Sequence, residues 1–248
     1  MDQSPERRPI LVLQHAGCEP PGVYADELLA RGIPFTRVVL SDGEELPDWR
    51  AFAGIVAMGG SMSVNDESVY PWLVPEKRLI AEAVAAGHPY WGVCLGAQLL
   101  AASLGARVWT GERPELGVLD VQLTPDAASD PVFASAPGAF QTLQWHSETY
   151  ELPAGAVQLA RSASYEQQAF VIDRAYALQF HLEVDSALAD EWMREPVFAA
   201  EIEREHGGGG PSALLTQVGA AERETVALAR GLFARWLVDV VGYGERSG

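Results

Sequence analysis

The chain has 248 residues, of which 48% are apolar and 21% charged, the composition of an ordinary globular protein with a sizeable core and not of a disordered one. A formal net charge of −17 sets it against polyanions, so neither nucleic acid nor an anionic membrane surface is an expected partner. Two cysteines make no disulfide framework, no apolar run reaches the length of a membrane span and the N-terminal stretch lacks a signal-peptide core, so a cytoplasmic protein is expected.

The run PILVLQH, from Pro9 to His15, reads as a buried strand. VYADELLARG follows with helical spacing and stops at Gly32. Ile33 to Leu40 and Ala53 to Gly60 read as strands, the second ending in two glycines. VPEKRLIAEAVAAG is a helix with Pro75 in its first turn and Gly87 past its end. HPYWGVC is a fourth strand, and LGAQLLAASLG a helix. This alternation argues for a parallel sheet with helices on both faces.

After Gly105 the rhythm changes. ARVWTG, GVLDVQLT, FQTLQWH, AVQLARS, AFVID and YALQFHLE read as short strands, hairpins or an antiparallel extension of the sheet. The segment 186–248 reads as a helical extension interrupted at Gly207 to Gly210, taken as a flexible surface joint. No repeat or long linker divides the chain, so residues 1–248 are expected to form a single domain: a three-layer α/β sandwich, mainly parallel, with an antiparallel extension.

One stretch carries chemistry. In YWGVCLGAQ a strand runs into Gly92-Val93-Cys94-Leu95-Gly96 and a helix follows, placing Cys94 on a sharp turn at the C-terminal edge of the sheet. The glycines on either side admit the turn without a β-carbon clash, and the helix N-terminus favours a thiolate. The Leu95 N–H is then free for a developing oxyanion. Taken alone, the pattern fits a buried core cysteine equally well.

Its partners shift the balance. In YALQFHLE, His181 and Glu183 leave the same face of a strand near its end, so the carboxylate can orient the imidazole for a nearby thiol. MGGSMSVND, Met58 to Asp66, ends a strand with two glycines whose backbone N–H groups can meet an anion. QWHSETYELP reads as a polar loop, and its His146 is a rival base ranked below His181. His15 and His88 suit satisfied core or edge roles, and His206 a solvated one. No cluster has metal-ligand spacing, and no metal or cofactor is expected.

GVCLGAQ resembles the Gly-x-Cys-x-Gly-x-Gln signature of class I glutamine amidotransferases. FHLE and MGGSMSVND resemble their His-x-Glu motif and glycine-rich loop, in the same order, over roughly Ile10 to Val184. The likeness is to domains similar to the glutaminase part of GMP synthase, with a flavodoxin-like architecture. Leu182 and Ser61 stand where the family often has proline. The resemblance implies that Cys94 attacks the glutamine side-chain amide with His181 as base and acid and Glu183 as its orienter. It implies that Gly60 and Leu95 supply oxyanion N–H groups, and that Gln98, Ser147 and Glu148 hold the glutamyl substrate. Products would be glutamate and ammonia, the latter for an acceptor such as a synthetase subunit.

Three other readings stay open. A γ-glutamyl peptidase would use the same chemistry with another leaving group. A cysteine α/β-hydrolase would place its acid before its histidine, for which Asp173 is available, but leaves Gln98 and Glu183 unexplained. A non-catalytic regulatory subunit would not need every one of these residue types.

Overall fold

The computed structural model describes residues 8–244; the first seven and last four residues of the expected 1–248 domain lie outside them. Nine strands form one mixed sheet in the order β2-β1-β3-β4-β9-β8-β7-β5-β6. Strands β1 (Ile10–Gln14), β2 (Phe35–Val39), β3 (Gly54–Ala57), β4 (Tyr90–Val93) and β9 (Ala175–Leu178) run parallel. Strands β5 (Val108–Leu123), β6 (Ala139–Tyr150), β7 (Val157–Arg161) and β8 (Ala169–Ile172) extend the sheet antiparallel from β9. Strands β1, β3, β4 and β9 are buried along their whole length, as a parallel sheet covered on both faces requires.

The alternation of side chains sorts the core into two layers. Ile10, Val12, Val56, Trp91, Tyr176 and Leu178 face α1 (Gly22–Ala30), α6 (Gly210–Arg235) and a π-helical segment, Trp236–Val241. Leu11, Leu13, Ile55, Ala57, Tyr90 and Ala177 face α2 (Leu73–Ala85) and α3 (Leu95–Ser103). On the first face Tyr24, Trp91, Phe233 and Trp236 meet with ring centroids 4.7–5.9 Å apart, which fastens the C-terminal helix to the centre of the sheet. A third cluster packs α4 (Ser186–Arg194), α5 (Pro196–His206) and the start of α6 on the antiparallel part, through Leu143, Trp192, Phe198, Ile202 and Leu214.

Four sequence expectations need correction. ARVWTG and GVLDVQLT are one strand, β5, whose pairing with β6 shifts register between Thr110 and Glu115; the bulge looks like a break in the alternation. QWHSETYELP is not a loop, because Gln144 to Tyr150 complete β6. Strand β9 stops at Leu178, short of His181: the chain there leaves β4, and the His181 N–H turns to the Leu143 carbonyl at 2.9 Å. The Gly207 to Gly210 run is a tight connection between α5 and α6, with His206 Nε2 held to the Leu116 carbonyl at 2.8 Å and Gly210 already helical.

Helix α3 lies against the backbone of β3. A β-carbon on Gly96 would stand 2.1 Å from the Ala57 carbonyl oxygen, and the Gly96 N–H donates to Met58 O at 3.1 Å. Gly96→Ala must therefore push α3 off the sheet. It is expected to lower unfolding stability by about 1–3 kcal/mol, the usual cost of overpacking, as read by urea denaturation at unchanged m-value.

Candidate active site

The C-terminal ends of β1, β3, β4 and β9 meet at one edge, where doubly wound sheets take their ligands. Cys94 follows β4 directly, and its N–H still reaches the Leu178 carbonyl at the end of β9, at 2.8 Å. Its backbone has φ 50° and ψ −106°. The glycines around it are not the residues in the left-handed region; Cys94 itself is, a conformation that costs about 1–3 kcal/mol for a residue with a β-carbon. Gly92 and Gly96 serve close approach instead, since a β-carbon on Gly92 would meet the Gly96 carbonyl oxygen at 2.6 Å.

Cys94 lines a cavity of about 300 Å³ and is 6% exposed as a residue. It donates to the Trp145 carbonyl at 3.7 Å and accepts from Gln179 Nε2 at 3.7 Å. Gln98, the third residue into α3 beyond Leu95, donates to Gln179 Oε1 at 3.2 Å, so the two amides form a short relay under the sulfur.

His181 and Glu183 lie just beyond β9. Nδ1 of His181 is 2.7 Å from Glu183 Oε1, and the ring lines the same cavity as Cys94. Burial by itself would lower the His181 pKa; the Glu183 carboxylate, then the Cys94 sulfur, outweigh it and hold the imidazole well above its ordinary value. Glu183 is fixed through its backbone as well, because its carbonyl accepts the Val23 N–H at 3.0 Å at the start of α1. A β-carbon on Gly22 would stand 2.2 Å from that oxygen.

The glycine loop after β3 faces the thiol. His15 is fully buried beneath it, with Nδ1 3.1 Å from the Gly59 carbonyl oxygen and Nε2 2.8 Å from Glu76 Oε1. A trans peptide points its carbonyl and the following N–H in opposite directions, so holding Gly59 O sets the direction of the Gly60 N–H. Neither the Gly60 nor the Leu95 N–H has an acceptor among the described residues. Leu95 is the first residue of α3, where no intrahelical acceptor exists.

The structure brings the sequence-derived residues to one cavity. Gly60, Cys94, Gln98, Ser147, Glu148 and His181 line it, with Leu95 and Glu183 directly behind. Glu148 accepts from Ser63 Oγ at 2.8 Å and so ties β6 to the glycine loop. His146 also lines the cavity, but its ring is engaged on both sides, by Glu115 Oε2 at 3.1 Å and the Glu148 carbonyl at 2.9 Å. Asp173 lies in the turn between β8 and β9, at the opposite end of β9 from His181.

Sequence reasoning missed the other side of the cavity. Glu19, Trp145, Trp192, Phe198 and Glu201 line it too, three of them from α4 and α5. The Trp192 ring meets the His181 ring edge-on at 5.3 Å, and its Nε1 donates to the Cys18 carbonyl at 2.7 Å. Of these residues only Glu19 carries a local signal, standing just past a buried strand and before Pro20-Pro21-Gly22.

The family described as glutamine amidotransferase class-I matches residues 24–199. A GMP synthase (glutamine-hydrolysing) of Thermomicrobium roseum is 36% identical over 138 residues, which are 55% of this chain and 25% of that protein, so the chain spans about a quarter of that relative's length. A glutamine amidotransferase structure from Thermotoga maritima superposes with a TM-score of 0.85 at 30% identity, covering 93% of this chain and 98% of that one. A glutamine amidotransferase structure from Methylobacillus flagellatus gives 0.83 at 28% identity, with 97% of each chain covered. The shared fold runs through both halves of the sheet, and the chain belongs to the class I glutamine amidotransferase family.

Proposed function

We propose that the chain hydrolyses the side-chain amide of glutamine through a γ-glutamyl thioester on Cys94. The observation that carries this reading is the His181–Glu183 pair just beyond β9, Nδ1 to Oε1 2.7 Å, with its ring in one cavity with the Cys94 thiol. Glu183 accepts the Nδ1–H hydrogen bond, which leaves Nε2 to take the thiol proton, and the carboxylate stabilises the imidazolium that forms. The thiolate attacks the amide carbon and the amide oxygen gains charge, within reach of the unpaired N–H groups of Gly60 and Leu95. His181 returns the proton to nitrogen, the C–N bond breaks and ammonia leaves. Water then attacks the thioester with His181 as base, releasing glutamate and restoring the thiol. Gln98, Ser147 and Glu148 hold the acyl half of the substrate. The ammonia goes to an acceptor on a synthetase partner, a role suggested by the GMP synthase relative.

Two measurements test this. Cys94→Ala and His181→Ala are each expected to lower kcat for glutamate release from glutamine by at least about a thousandfold, and Glu183→Gln by less, since the orienting member costs least to lose. A His181→Ala enzyme as fast as wild type would move the base elsewhere. With limiting alkylating reagent at neutral pH, mass spectrometry should find the adduct on Cys94 before Cys18. The Cys18 thiol is pushed up by burial, then by the Glu19 carboxylate, and so is poor in thiolate.

A further inference from the structure

The chemistry above leaves one buried carboxyl without a role. Glu19 is 6% exposed and lines the cavity, and among the described residues its carboxyl makes no hydrogen bond and is not one of the fully enclosed unpaired groups, so its oxygens open on the cavity. A mostly buried carboxyl whose only open side is a cavity is placed to be completed by what the cavity holds. Its position is specific. A β-carbon built on Gly59 would lie 2.3 Å from Glu19 Oε2 and 3.2 Å from His181 Cε1, so the carboxyl sits beside the ring that hands a proton to the leaving nitrogen. In the proposed chemistry Gln98, Ser147 and Glu148 hold the acyl half of the substrate. The remaining side, lined by Glu19, Trp192, Phe198 and Glu201, is then left to the departing amine.

That side suits a particular kind of amine. Among the described residues no lysine or arginine lines the cavity. The Trp145, Trp192 and Phe198 rings lie 5.4–5.6 Å from one another and form an apolar wall for a short alkyl chain. Glu201 accepts from Trp145 Nε1 at 3.0 Å and is thereby engaged, whereas Glu19 is not. We propose that Glu19 selects the leaving group, and that the site accepts, besides glutamine, γ-glutamyl amides whose leaving amine carries a second, positively charged amino group. The inference rests on the Cys94–His181 chemistry proposed above and extends it to the departing amine. Thiolate attack and C–N cleavage are unchanged, the proton from His181 goes to the departing nitrogen, and water releases glutamate. A diamine leaves where ammonia would. The second ammonium gives Glu19 the charge-assisted hydrogen bond it lacks.

The charge on Glu19 adds a pH signature. Burial, with a smaller push from Glu183, raises its pKa to about 7, against the opposing pull of His181 and His15. The titratable groups around it are His15, Cys18, His181 and Glu183, with Glu201 on the same side of the cavity. Their effects on the Cys94 chemistry itself cancel in the ratio of two substrates that differ only at the far end of the amine, and Glu19→Gln separates the Glu19 charge from theirs.

The test compares kcat/KM of the purified full chain for the γ-glutamyl amide of 1,4-diaminobutane with that for the γ-glutamyl amide of n-pentylamine, its uncharged isostere, alongside glutamine. In wild type the ratio is expected to be at least about tenfold at pH 8 and to fall as pH drops through 7, because protonation removes the carboxylate. In Glu19→Gln it is expected to fall to near one. A wild-type ratio near or below one, a ratio that does not change with pH, or one that survives Glu19→Gln would each overturn the proposal. The pH arm needs no variant, so a ratio that does not change with pH overturns the proposal even if Glu19→Gln does not fold. Hydrolysis of glutamine with a ratio near one removes this inference alone. Hydrolysis of none of the three compounds removes the amide-hydrolase reading and this inference with it.

Discussion

Helix α3 meets strand β3 so closely that no β-carbon fits at Gly96, and that approach fixes the surroundings of Cys94. The Gly96 N–H binds the Met58 carbonyl, and Met58 opens directly into Gly59-Gly60. One contact therefore sets the distance between the elbow and the glycine loop. The turn left over after this approach falls on Cys94, whose positive φ is held because strands β3, β4 and β9 are buried throughout and cannot yield. The strain is local and the scaffold that enforces it is wide, the usual division of labour at a functional edge of a sheet.

Three buried histidine–carboxylate pairs ring the cavity: His15 with Glu76, His146 with Glu115 and His181 with Glu183. Pairs this deep are weak contributors to stability, since removing both charges from water cancels much of their attraction. Their effect is orientation. His15 holds the Gly59 peptide, His146 joins β5 to β6 across the bulge, and the His181 ring is held by Glu183 at the cavity wall. Two of the carboxylates, Glu76 and Glu183, each keep one buried oxygen without a partner, which marks how tightly the pairs are enclosed.

The parallel half of the fold was legible because its signals are local: apolar runs closed by glycines and helices with punctuated ends. Cys94, His181 and Glu183 were legible for the same reason, each lying within a few residues of a strand end. The antiparallel half was harder. A bulge in β5 looks like a turn, and the polar face of β6 looks like a loop because it lines a cavity and not a core. His181 was placed in a strand that ends three residues earlier, yet its alternation with Glu183 survived in the extended chain beyond β9. The aromatic side of the cavity was invisible from sequence. Trp192 reads as a core residue of an amphipathic helix, and its contact with Cys18 spans 174 positions.

Strand β9 occupies the middle of the sheet although it is the last strand to be made. Cys94 and its neighbour Gln179 are 85 positions apart, and at roughly 5–20 residues per second a growing chain carries the cysteine for several seconds before His181 exists. Until β9 slides between β4 and β8, the elbow has neither its base nor the strand that receives the Cys94 N–H. The long-range pairings that close the sheet are intrinsically slow to form. The order of synthesis thus acts as a safeguard in time. The unfinished chain exposes an ordinary thiol to the cell, and the proposed nucleophile comes into being only with the completed sheet.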